Sequence, residues 1–197
     1  MSNSVGGSYS DILNELYNIY YKQFTQHSEV TSSHWRSIGW HKVEIRDGCW
    51  RVQGFGFGSC LSANVWRKIL SFPRRILLSL LLKRFQCPFF LEDKGRRLAG
   101  KGGLLFDYDF VKQLLSFNEI LKQLGVKILD DKHYPLSSQS IKVACVIGDG
   151  YGYLSALLRV VDPGLKVISI NLGRTLFFDV FFSQEYLPLE NPVLLRK

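Results

Sequence analysis

The sequence predicts an α/β protein: a helical, hairpin-bearing first half, then a strand–turn–helix–strand unit that opens a parallel sheet. Three observations carry this. Val143–Ile147 is an unbroken apolar run, as expected of a strand buried on both faces. It runs into the glycine-rich turn Gly148-Asp-Gly-Tyr-Gly152. Leu154, Leu157, Leu158 and Val161 then fall at helical spacing, Asp162-Pro163-Gly164 stops the helix, and Lys166–Ile170 supplies a second apolar strand.

Gly148, Gly150 and Gly152 are spaced G-x-G-x-G. A dinucleotide fingerprint would need its third glycine at position 153, where Tyr153 stands. Glycine tolerates positive φ and lets a cofactor lie against the backbone. The spacing therefore favours S-adenosylmethionine over a dinucleotide. A tight turn with no ligand is the plain alternative.

The segments Val146-Ile-Gly-Asp-Gly-Tyr-Gly152 and Ile168-Ser-Ile-Asn-Leu-Gly-Arg-Thr-Leu176 resemble the sugar O-methyltransferase family of bacteria, with a looser likeness from about Gly102 onward. The resemblance implies a Rossmann-like methyltransferase sheet, S-adenosyl-L-methionine as methyl donor, and a sugar hydroxyl, often in a surface glycan, as acceptor. It implies a cofactor site at Gly148, Asp149, Gly150, Tyr151 and Gly152, with Asn171 near the ribose. The acid common just ahead of the first glycine is Val146 here, and Asp149 inside the turn is the carboxylate on offer. Asn171 replaces the acid that grips the ribose, and a neutral amide binds hydroxyls more weakly than a carboxylate does.

Three regions are expected: residues 1–102, a helix and hairpin region with a basic segment; 103–140, a helical lead-in; and 141–197, the start of the cofactor domain. Only 57 residues fall in the last region. The sheet implied by the resemblance is larger, so the expectation is a truncated, inactive front part of an enzyme. Two strands alone would leave apolar faces and sheet edges in water.

At 46% apolar and 21% charged residues, the composition is that of a folded, water-soluble chain and argues against broad disorder. Met1–Ser10 reads as a loose polar leader without the basic start and apolar core of an export signal. Cys49, Cys60, Cys87 and Cys145 form no C-x-x-C pair, and the histidines are scattered. Reduced thiols, no metal site and a cytoplasmic location follow, with Cys145 a core residue of its strand.

Charge is concentrated. Residues 51–102 carry a net +9 while the whole chain carries +8. The basic residues come as Arg67-Lys68, Arg74-Arg75, Lys83-Arg84 and Arg96-Arg97. Such a patch attracts anions or merely keeps a face solvated. Between the pairs, Ile76-Leu-Leu-Ser-Leu-Leu-Leu82 is too short to span a bilayer, and Pro73 and Lys83-Arg84 suit the two ends of a helix. An apolar helix of this kind reads first as a core helix. Its basic flanks also fit residues 65–85 to an anionic membrane surface, peripheral to the inner face of the membrane.

Asp11–Phe24 carries an apolar helical stripe with Ser10 as its cap. Trp40–Gln53 alternates around Asp47-Gly48, a hairpin signal. Trp35, Trp40, Trp50 and Trp66 offer either sugar stacking or core packing. Gly54-Phe-Gly-Phe-Gly58 lacks the following G-K-[ST] of a phosphate loop and reads as a bend or edge strand. Gly100-Lys-Gly-Gly103 reads as a linker, and Phe110–Leu124 as an amphipathic helix ended by Gly125.

No catalytic base is assignable. His133, Asp107 and Asp109 precede the first sheet strand and fit surface or capping roles equally well. Two classes of function stand side by side. One is the sugar O-methyltransferase with a glycan acceptor. The other is a non-enzymatic basic module binding acidic glycan, lipid or nucleic acid, with nucleic acid the least favoured partner.

Overall fold

The computed structural model describes residues 4–6, 9–18, 42–46, 49–53, 72–101, 106–125, 141–149, 152–171, 174–186 and 193–195. In chain order these form β1 (Ser4–Gly6), α1 (Tyr9–Leu16), β2 (Lys42–Arg46), β3 (Cys49–Gln53), α2 (Phe72–Arg84) and α3 (Phe89–Lys101). They continue with α4 (Tyr108–Gln123), β4 (Val143–Ile147), α5 (Tyr153–Val161), β5 (Lys166–Ile170), α6 (Arg174–Tyr186) and β6 (Val193–Leu195). The mixed α/β class is as expected.

β4 and β5 pair in parallel, with Cys145 opposite Ile168 and Ile147 opposite Ile170. The ladder runs one step past β4, since the Gly148 N–H donates to the Ile170 carbonyl at 2.9 Å. Among the described residues all the helical cover lies on one side. Val146 is buried there, Ala144 and Val167 pack against the core, and the Ser155 and Ser169 hydroxyls meet at 3.0 Å between α5 and β5. The opposite face is open: Val143, Cys145, Ile147, Ile168 and Ile170 are exposed, Ile147 by 77%. This corrects the expectation of a strand buried on both faces with Cys145 in the core. The run is apolar enough for two covered faces, but the described elements cover one.

β2 and β3 form the expected antiparallel hairpin, Arg46 pairing with Cys49 across residues 47 and 48. The Asp47-Gly48 turn, the Gly54–Gly58 repeat, Trp35, Trp40, Trp66 and His133 lie outside the described residues. Met1–Ser10 is not wholly a loose leader. Ser4–Gly6 pairs antiparallel with Val193–Leu195, and α1 starts at Tyr9, which places Ser10 inside the helix rather than at its cap.

α4 buries Phe110, Leu114, Phe117 and Leu121 of its expected stripe, with Val111 beside them, while Leu124, also expected in the stripe, is exposed just past the helix end. It begins two residues earlier than expected because Asp107 caps it, its carboxylate accepting from the Asp109 N–H at 3.2 Å. That assigns Asp107 to capping. Gly125 follows the helix at φ +68. α3 runs through Gly100, where a linker was expected.

One apolar core crosses the expected boundary near residue 102. Leu13 and Leu16 of α1, Leu91 and Leu98 of α3, and Leu114 of α4 join Leu157 of α5 and Phe177 of α6 in it. The tightest seam is at Gly95 of α3. A methyl group there would stand 2.5 Å from the Tyr153 hydroxyl and 3.1 Å from Leu114. Glycine at this helical position lets α3 approach α5, and Tyr153 fills the space between Phe110 and Tyr186 with both rings edge-on.

Candidate functional site

The glycine turn sits where β4 hands over to α5, at the carboxyl end of the parallel strands, the usual place for a ligand in an α/β sheet. Gly148 and Gly152 both have positive φ, +73 and +64. Their surroundings differ. A side chain at Gly148 would meet open space, whereas one at Gly152 would strike the Ser183 hydroxyl and the Asp179 carbonyl of α6. Gly152 therefore serves a close helix approach, sealed by Ser183 Oγ donating to the Gly152 carbonyl at 3.2 Å. Gly150 and Tyr151 lie outside the described residues.

Asp149 turns inward. Its Oδ1 accepts from the Leu154 N–H at 3.0 Å and its Oδ2 from the Ser155 N–H at 2.8 Å, so one carboxylate spans the first turn of α5. A helix N-terminus is a ready anion site, and here the chain's own carboxylate occupies it. Burial pushes the Asp149 carboxyl above its ordinary range, opposed by those hydrogen bonds from Ser155 and Leu154. Both oxygens of this carboxylate, which the sequence offers to a cofactor, accept from the α5 backbone. Gln113 of α4 braces the turn from outside, its Nε2 donating to the Asp149 carbonyl at 3.2 Å.

Asn171 follows β5 directly and is half-buried. Its Nδ2 donates to Asp179 Oδ2 at 2.8 Å. Asn171 is thus tied to a carboxyl group of α6. Asp179 is buried, and its carboxyl is pushed up to about 7, first by burial and then by the negative charge of Asp149, with Asn171 and the Gly152 N–H opposing. Asp179 was not among the expected site residues. The available signal was its isolation in Leu176-Phe-Phe-Asp-Val-Phe-Phe182, where a lone acid in an aromatic run needs a buried partner.

The structure thus brings together Gly148, Asp149, Gly152, Asn171 and Asp179. The two carboxyl groups, Asp149 and Asp179, are buried beside the backbone turn. The Leu154 and Ser155 N–H groups at the start of α5 are already engaged by the Asp149 carboxylate. Among the described residues no cluster of three or more metal-ligating side chains occurs. Compared with protein-family models, curated proteins and solved structures, the chain matches none.

Proposed function

We propose that residues 141–197 belong to the cofactor-binding region of an S-adenosylmethionine-dependent O-methyltransferase acting on a sugar hydroxyl, with glycan biosynthesis as its setting. The observation that carries the choice of cofactor is the Asp149 carboxylate seated on the N-terminus of α5. A dinucleotide would bring its pyrophosphate to those same N–H groups and meet a negative charge. S-adenosylmethionine carries a positive sulfonium instead of a pyrophosphate, and the Asp149 carboxylate on the α5 N-terminus does not oppose it. The G-x-G-x-G spacing and the parallel β4–α5–β5 unit support the same reading.

Methyl transfer needs the acceptor oxygen in line with the methyl–sulfur bond and a group to take the hydroxyl proton. In this reading the described residues of the turn, Gly148 and Gly152, receive the donor. The described residues present no base beside it other than Asp179, which Asn171 already holds.

Calorimetric titration tests the reading. The chain should bind S-adenosylmethionine and not NAD, and Gly150→Val should abolish the heat by blocking close approach to the backbone. Unchanged affinity in that variant, or preference for NAD, would overturn it.

A further inference from the structure

The outward face of α2 presents Ile76, Leu77 and Leu80, each roughly half exposed, while Leu78 and Leu82 point into the core. The helix was expected first as a core helix, with an interfacial position as the alternative, and it is two-sided with both sides apolar. Burying one side suffices for folding. The other carries a shallow recess of about 240 Å³ with Ile76, Ser79 and Leu80 as its floor and Arg75 and Lys83 at its two ends. Arg75 and Lys83 are eight residues apart, about 12 Å along a helix.

The charges divide in the same way. Arg96 and Arg97 of α3 are neutralised along their own helix, by Glu92 at 2.7 Å and Asp93 at 2.8 Å. α2 contains no acid at all, and its Arg74, Arg75, Lys83 and Arg84 are exposed and make no ion pair with a described residue. Arg74 and Arg75 also lie at the amino end of the helix, where the helix dipole disfavours cations. They do not help α2 to form, so their position calls for an external anion.

We propose that the exposed face of α2 is a peripheral docking surface for an anionic lipid bilayer. Its three aliphatic side chains enter the interfacial region, while the four cations engage lipid phosphates on either side. The pattern of apolar face and basic flanks is that of a helix lying in the membrane plane. At 13 residues α2 is too short to cross, and no described helix is long and apolar enough to do so. A soluble polyanion would find the charges but leave the aliphatic face unused, and a second copy would bring the same cations into opposition. The inference is independent of the cofactor reading.

Co-sedimentation of the full chain with vesicles tests it. Vesicles of phosphatidylcholine with about one-third phosphatidylglycerol should bind at least about tenfold more tightly than pure phosphatidylcholine, because each cation near an anionic surface adds about 1 kcal/mol. Binding should fall severalfold between about 50 and 300 mM salt as the charges are screened. Arg74→Ser with Arg75→Ser, Lys83→Ser and Arg84→Ser should remove most of it. Ile76→Ser with Leu80→Ser, which touches only exposed positions, should weaken it at unchanged charge; circular dichroism confirms that each variant is folded. The salt series on the unmodified chain stands even if a variant fails to fold. Equal binding to neutral vesicles or none to either kind would overturn the proposal. So would a DNA oligonucleotide that binds while vesicles do not, or a dimer that Leu80→Ser dissolves without any vesicle binding.

Discussion

Adding one methyl group at Gly152 should damage this fold far more than adding one at Gly148, although both glycines share the left-handed conformation. For Gly148→Ala the cost is strain alone, about 1–2 kcal/mol, since nothing lies within 4 Å of the new carbon. Gly152→Ala pays the same strain and two further terms. The Ser183 hydroxyl must rotate away, losing its bond to the Gly152 carbonyl, worth about 1 kcal/mol. The Asp179 carbonyl cannot rotate, because it belongs to the α6 backbone, so the whole helix must shift at about 1–3 kcal/mol. The result is a loss of about 3–6 kcal/mol against a typical domain stability of about 5–15. Urea denaturation followed by circular dichroism reads this directly. With a slope of about 1–3 kcal/mol per molar urea, the Gly152→Ala midpoint should drop by more than about 1 M and the Gly148→Ala midpoint by less. Equal losses in the two variants would refute the close packing of α6 on the turn.

Two more outcomes follow from the same region. Asp179 keeps its proton up to about pH 7 when folded, whereas an unfolded carboxyl loses it near pH 4. Its contribution is therefore complete below about pH 4, declines by about 1.4 kcal/mol per pH unit as pH rises to about 7, and is then lost. The burial of Asp149 acts in the same direction. Asp179→Asn should flatten the decline and raise stability on the alkaline side, and parallel profiles for the two proteins would contradict it. In the native state, maleimide at neutral pH should label Cys145 on the open sheet face and spare Cys87, which is half-buried with its thiol pushed up to about 12, mainly by burial. Peptide mapping distinguishes them, and a protected Cys145 would mean that the face is covered in solution.

What the sequence made legible was local. The strand of Val143–Ile147, the α5 stripe and the α4 stripe each follow from periodicity within a dozen residues, and the structure returns them with boundaries shifted by a residue or two. The hairpin at Lys42–Gln53 was legible because Asp-Gly marks its turn. Which face of a strand is covered is not a local property. Val143, Cys145 and Ile147 look identical to their neighbours in hydropathy, yet only the placement of α5 and α6 leaves them outside. The site divides in the same way. Gly148 and Gly152 were visible from spacing, but the inward turn of Asp149 depends on where α5 begins. The link between Asn171 and Asp179 depends on α6 folding back over β5. Arg96-Arg97 and Arg74-Arg75 were equal members of one basic cluster until helix geometry supplied the first pair with acids four residues away.

The pairing of β1 with β6 has a consequence for how the chain reaches this state. Three residues at each end, Ser4–Gly6 and Val193–Leu195, meet across almost the full length of the polypeptide. Closing a loop of that size costs about 5 kcal/mol in chain entropy. A three-residue ladder returns only about 1 kcal/mol per bond, so it cannot nucleate by itself. It must wait until α1 has docked on α6, where the Tyr9 hydroxyl reaches the Phe181 carbonyl at 3.5 Å and brings the two segments together beforehand. The strand pair is thus a late event in folding, and a mutation confined to it should speed unfolding while leaving the refolding rate nearly untouched.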